Sequence, residues 1–249
     1  MSLTLENLSR VVDGVDYIRD ANITFEAGSF NVLLGRTLAG KTSLMRLMAG
    51  LDKPDDGRLI YNGNDVTGQS VQQRNVSMIY QQFINYPNLT VYENIASPLR
   101  LAKMKESEID RRVKETANML QIDPLLKRYP LELSGGQQQR IFLARALAQD
   151  ARVYLMDEPF AGVDAATERA IIDILIELRK GGKTILVVHH DLQTVTKYFD
   201  WLIMLNMRVV ANGPTAEVFT DDNLHKAYGG RLTLLSEAAH VVAEQQGGL

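Results

Sequence analysis

Five short apolar runs, Phe30–Leu34, Val76–Tyr80, Val153–Met156, Thr184–Val188 and Leu202–Leu205, most constrain what this chain can fold into. Each has the length of a strand and is nearly apolar throughout, and the segments between them carry helical periodicity. Strands that are apolar on both faces belong to a parallel sheet covered on each side by helices. The fold class is therefore α/β. Around the first run, LTLENLSRVV, YIRDANITFEAG and RLIYNGNDV alternate raggedly, and Asn62-Gly63 is a two-residue hairpin signal, so antiparallel β-structure joins the N-terminal part. From Val91 to Asp150 no strand-like run occurs. Amphipathic stretches at Glu106–Leu120 and Gln138–Gln149, broken near IDP and RYP, read as a helical insertion over about residues 87–150.

FNVLLGRTLAGKTSLMRLMAG is an apolar strand, then Gly35, four residues, Gly40-Lys41-Thr42, and a helical run ending at Gly50. That order suits a phosphate-binding loop. Glycines let main-chain N–H groups face phosphate oxygens, and the helix N-terminus adds partial positive charge. Lys41 is expected to reach the β and γ phosphates, Thr42 to offer its hydroxyl to Mg²⁺, and Ser43 to add a hydroxyl nearby. Arg36, Thr37, Leu38 and Ala39 fill the free positions, where main-chain amides do the binding and side-chain identity is permissive. The competing reading is a glycine-rich turn capping an ordinary helix.

LELSGGQQQR sets Ser134, Gly135 and Gly136 before a helix expected to start near Gln137, giving either a second anion-receptive helix N-terminus or a plain N-cap serine. VYLMDEPFAGVD delivers Asp157 and Glu158 at the C-terminal end of a strand, where open α/β sheets bind ligands. There Asp157 can hold a metal through water and Glu158 can polarise an attacking water; the alternative is a solvated acidic turn. TILVVHHD ends on His189 and His190. A lone strand-end histidine is more often structural, but here three loops converge.

Composition excludes several other classes. With 249 residues, 45% hydrophobic and 23% charged, the chain has the make-up of a globular protein, and no run approaches the ~18 apolar residues of a membrane span. A formal charge of −3 supplies no basic stripe, which speaks against a nucleic-acid partner. The absence of cysteine rules out disulfides and thiolate metal sites. The first residues lack the layout of a secretory signal, so the cytoplasm is the expected location. Repeats are absent, and the final AEQQGGL reads as a frayed end.

In this order the motifs resemble the nucleotide-binding subunit of ATP-binding cassette (ABC) transporters, over about Ser2–Gly230, with residues 231–249 as a helical tail. The resemblance makes Gly35–Thr42 the Walker A motif, Leu133–Gln137 the signature, Asp157 the Walker B aspartate and Glu158 the catalytic glutamate. Gln81, in IYQQFINYPNLTVYENI, looks like the Q-loop residue that senses Mg²⁺ and the attacking water. Asp164 looks like the end of the D-loop. His190 looks like the switch histidine, in a His-His-Asp where the family usually reads Thr-His-Asp, which leaves His189 a bystander.

The implied fold is a RecA-like mixed sheet with an N-terminal antiparallel β subdomain and an inserted helical subdomain. The implied activity is ATP hydrolysis with Mg²⁺ by two copies packed head to tail, so that each ATP lies between Walker A of one and LSGGQ of the other. The implied setting is the inner face of the cell membrane, with the helical subdomain against permease subunits. Val12 stands where the family stacks an aromatic residue on adenine, and Tyr17 is the candidate substitute. Arg36 replaces a frequent proline, and tolerance is expected there.

The first half looks most like ATPases of glycerol and sugar importers, and the second half like those of manganese, zinc and iron importers. Sugar-type subunits also generally continue into a β-rich C-terminal domain. Two explanations fit: a chimera joined between about Ile95 and Leu133, or an ordinary importer subunit. A non-transport ABC ATPase would carry a coiled-coil insertion or a second cassette. A P-loop kinase or GTPase leaves Leu133–Gln137 unexplained, and an inactive cassette is at odds with Glu158 and His190.

Overall fold

The computed structural model describes residues 2–80 and 85–229; Gln81 and the 231–249 tail lie outside the described residues. In chain order the elements are β1 (Leu3–Val12), β2 (Val15–Phe25), β3 (Phe30–Leu34), α1 (Lys41–Ala49), β4 (Asp56–Tyr61), β5 (Asn64–Asp65), β6 (Val76–Ile79), α2 (Val91–Leu101), α3 (Glu106–Met119), α4 (Gly135–Leu147), β7 (Val153–Asp157), α5 (Ala165–Lys180), β8 (Thr184–Val188), α6 (Leu192–Tyr198), β9 (Trp201–Asn206), β10 (Arg208–Pro214), α7 (Thr215–Val218) and α8 (Asp221–Tyr228).

Six strands form a mixed sheet in the order β10-β9-β3-β8-β7-β6, parallel except for β10, which folds back on β9. All five apolar runs lie in it. Residues alternate between its two faces as the pleat requires. Phe30, Val32, Leu34, Tyr154, Met156, Ile185 and Val187 pack with α2, α3, α4 and α5 on one side. Leu33, Val153, Leu155, Leu186 and Val188 pack with α1 and the second sheet on the other. That second sheet is antiparallel, in the order β2-β1-β4-β5, and Asn62-Gly63 closes its β4–β5 hairpin with φ of 51° and 79°, the paired positive values of a type I′ turn. The long β1–β2 pair is broken by register shifts, which explains its ragged alternation.

Two details differ from the sequence expectation. Helix α4 begins at Gly135, not near Gln137, because the Ser134 hydroxyl accepts from Gln137 N–H and the Gln137 side chain accepts from Ser134 N–H, a reciprocal cap. Strand β10 was not anticipated, since RVVANGP is half-exposed edge structure with no buried run to announce it.

The phosphate-loop helix α1 is held at its far end by a buried arginine. Arg74 donates to Leu47 O at 2.7 Å, which also accepts from Gly50 N–H, to Met48 O at 3.1 Å near the helix end, and to Thr67 O and Gln69 O. Burial pulls its pKa below the usual arginine value, and among the described residues its hydrogen bonds go to main-chain carbonyls. Replacing Arg74 by Met removes all four bonds and leaves buried acceptors unpaired. The expected loss is about 3 kcal/mol of stability, read from chemical denaturation.

Candidate nucleotide site

The end of β3 and the start of α1 enclose residues 35–40 as a tight loop. Gly40 has φ 93°, and a Cβ there would run into Tyr17 O on β2, so only glycine suits the position. The turn between β9 and β10 forms the other wall: Met207 N–H donates to Ala39 O at 2.9 Å, and Arg36 Nε donates to Asn206 Oδ1 at 3.1 Å. Arg19 N–H donates in turn to Met207 O at 2.8 Å, closing the two walls on each other. Lys41 is buried, and its ammonium donates to Gly35 O at 2.7 Å and Arg36 O at 3.0 Å. Burial holds its pKa below the usual lysine value, while the Asp157 and Glu158 charges act in the opposite sense. Tyr228, the last residue of α8, accepts from Gly35 N–H at 3.2 Å. Leu38 has φ 67° and is 89% exposed. The four free positions are thus not all permissive, because a Cβ at that φ is strained.

Strand β7 delivers Asp157 beside this loop. The Thr42 hydroxyl donates to Asp157 Oδ2 at 2.9 Å. Asp157 is buried, and burial raises its pKa above the usual aspartate value; the Thr42 hydrogen bond works against that rise and the Glu158 charge adds to it. A cation at this carboxylate would relieve the cost of its burial. The described residues contain no group of three or more His, Asp or Glu able to cage a metal. Thr42 with one carboxylate does fit Mg²⁺, which binds through one or two carboxylates plus substrate phosphates.

Glu158 turns away from the strand with φ 53°, and its N–H donates to Val188 O on β8 at 3.2 Å. Its Oε1 lies 2.7 Å from Nε2 of His190. The two expected reacting groups are therefore in contact, beside a cleft of 170 Å³ that Phe160 and Ala161 also line. His189 lines the same cleft but bonds away from Glu158. It is buried, its ring stands 5.5 Å from Phe160 and 5.8 Å from Phe199, and its Nε2 is 2.7 Å from the Thr194 hydroxyl. Burial lowers its pKa below the usual histidine value. A larger cleft of 350 Å³, near Asp150, Arg152 and Lys183, lies at the amino ends of β7 and β8, the wrong end of a parallel sheet for the nucleotide.

The signature stands apart from the loop. Ser134, Gly135 and Gly136 open α4, and among the described residues no hydrogen bond joins Ser134–Gln137 to Gly35–Ser43. A Cβ on Gly135 or Gly136 would meet nothing within 4 Å, so packing within this chain does not require either glycine. Gln139 is buried and donates to Pro159 O, and Arg140 donates to Thr167 Oγ1 at 3.1 Å, tying α4 to the segment after Glu158. Asp164 caps α5 by accepting from Thr167 N–H and hydroxyl at 2.9 and 2.8 Å, which holds its pKa below the usual range. Tyr17 is 40% exposed on β2 against Gly40. Tyr228, Asn206 and Gln139 escaped the sequence reading because each acts through one long-range hydrogen bond that no spacing encodes.

Comparison with known proteins gives the same picture. The family described as "ABC transporter" matches residues 18–161. The manganese transport system ATP-binding protein MntB of Bacillus subtilis is 41% identical, over 94% of this chain and 94% of its own length. A sulfate/thiosulfate import ATP-binding protein, CysA 2 of Agrobacterium fabrum, is 37% identical over 90% of this chain and 67% of its own length. The dimeric structure of the cassette MJ0796 superposes with a TM-score of 0.77 at 27% identity, over 85% of this chain and 98% of that one. The same cassette is also known in a post-hydrolysis dimer with ADP and Pi. A protein that matches both halves along its length leaves the chimera without support. The chain, an ATP-binding and ATP-hydrolysing subunit, belongs to the ABC transporter family.

Proposed function

We propose that two copies of this chain close head to tail on two ATP molecules and that hydrolysis reopens them to drive import through membrane-spanning partners. The observation that carries the reading is the pair of anion-receptive helix starts, at Lys41 and at Gly135, with no hydrogen bond between them among the described residues and two glycines at the second whose Cβ would meet none of those residues within 4 Å. A γ-phosphate held by both would join the copies.

Within the closed site, main-chain N–H groups of residues 38–43 and the Lys41 ammonium bind the phosphates. Thr42 and Asp157, with Gln81, would hold Mg²⁺, which supplies charge neutralisation on the phosphate oxygens when bound. Glu158 accepts the proton of the attacking water, and His190, already 2.7 Å from it, orients that carboxylate. Ser134, Gly135, Gly136 and Gln137 of the opposing copy bind the γ-phosphate, and Asp164 keeps the adjoining turn in shape. Tyr17 stacks on adenine. The helices of residues 87–150 meet the permease at the cytoplasmic face of the membrane. Among the described residues no helix is long and apolar enough to cross it. The cargo is a divalent cation of the manganese class, on the strength of the MntB match; sulfate uptake in place of cation uptake by vesicles carrying the assembled transporter would overturn that choice.

Three outcomes test the site. Glu158→Gln should bind ATP, sediment as a dimer with ATP, and hydrolyse it at least about 100-fold more slowly, with chelation of Mg²⁺ silencing the parent protein equally; a monomer under those conditions refutes the head-to-tail reading. Asp157→Asn should abolish hydrolysis yet raise the melting temperature of the nucleotide-free protein by about 2 °C. The sign follows from a raised acid pKa: ionising Asp157 costs the folded state stability, that cost is full above the folded pKa, and it is lost as pH falls from there to the ordinary aspartate pKa of the unfolded chain. A lower melting temperature would show Asp157 to be a net stabiliser. Tyr17→Ala should weaken ATP binding about five-fold in a fluorescent-nucleotide titration through lost stacking, and an unchanged affinity removes Tyr17 from the site.

A further inference from the structure

Leu38 breaks two rules at once. Its φ of 67° lies in the left-handed region that favours glycine, and its side chain is 89% exposed, the most exposed large hydrophobic among the described residues. Neither property helps the isolated chain. A glycine would relieve the backbone, a polar residue would suit the solvent, and no packing inside the molecule rewards the isobutyl group. Strain of this kind persists where the surroundings fix it, and it gathers at functional sites.

The surroundings do fix it. Residues 35–40 are clamped between Tyr17 on β2 and the Asn206–Met207 turn, with Arg36 bonded to Asn206 just before Leu38 and Ala39 O bonded to Met207 just after it. Leu38 therefore stands at the rim of the phosphate loop with its backbone unable to relax, facing outward.

We propose that Leu38 is an interface residue, whose side chain inserts into a second copy of this chain when ATP is bound and seals the nucleotide from water. This rests on the head-to-tail reading above. The occupant is a second copy because the loop carrying Leu38 is the same loop that needs the opposing Gly135–Gly136 helix start to complete its phosphate site. Continuity with that surface puts the leucine inside the contact. Two-fold symmetry uses it twice per dimer, so removing a small buried side chain is felt doubly.

The test compares Leu38→Asn and Leu38→Gly, both tolerant of positive φ, in the Glu158→Gln background. Dimerisation with ATP is followed by analytical ultracentrifugation and nucleotide affinity by titration. The expected result is a dimer weakened about 100-fold in both variants, a change well beyond any in ATP affinity, with a melting temperature that is not lowered. Because the natural chain has no cysteine, Leu38→Cys gives a single thiol. Its reaction with a maleimide should slow with ATP, and the slowing should grow with protein concentration. Parent and variants dimerising alike would overturn the Leu38 inference alone. So would a dimer loss that only tracks lost nucleotide affinity, or thiol protection independent of concentration. If the parent itself stays monomeric with ATP, the head-to-tail reading fails and takes the inference with it.

Discussion

The burial of both faces of the six-stranded sheet is the constraint on which the rest depends. With α1 and the antiparallel sheet on one side and α2 to α5 on the other, no strand residue between its ends can carry a charge without costly desolvation. Polar chemistry is pushed to the strand ends. At the carboxyl ends of β3, β7 and β8 the chain turns out of the sheet at Gly35, Glu158 and His189-His190, and those three turns are neighbours because β3, β8 and β7 are adjacent in the sheet. The site is thus a consequence of the strand order, and its parts come from segments more than a hundred residues apart.

At that edge the structure places charges that are unfavourable alone. Lys41 is a buried cation solvated by two loop carbonyls, and Asp157 is a buried carboxylate with one hydroxyl donor. Burial moves both pKa values toward the neutral form. Each is offset when its natural counter-charge arrives, phosphate for Lys41 and a cation for Asp157. The free protein therefore holds electrostatic cost that ligand binding relieves, and a site organised in this way needs little rearrangement of side chains to favour its charged ligand.

Much of this was legible in the residues, for reasons that differ by element. The apolar runs at Phe30–Leu34 and Thr184–Val188 are strands with those bounds because continuous burial leaves a continuous signal. Asn62-Gly63 announces its hairpin because few other pairs reach two positive φ values. What escaped lacks a local signature. The tie from Tyr228 to Gly35 spans 193 residues. Arg74 looks like any surface arginine until four carbonyls surround it. The left-handed turn at Glu158 leaves no mark in DEPF, and it aims the carboxylate at His190. Nor did two stretches of subfamily wording reveal a junction, since one relative matches 94% of the chain across both of them.

Coupling between the two helix starts follows from how rigidly each is held. The α1 start is fixed by the Arg74 bonds at its far end and by two walls at the loop. The α4 start is fixed by its own cap and, one turn on, by Gln139 to Pro159 and Arg140 to Thr167. Those last bonds anchor α4 to Pro159 and to Thr167 on α5, so a force that moves α4 is delivered to the turn that carries the Glu158 carboxylate. In the proposed head-to-tail dimer, ATP closing on the α4 start of one copy would act on Glu158 of that same copy, which would serve the other nucleotide. Built this way, the proposed dimer would link the state of one ATP to the readiness of the second through packed side chains.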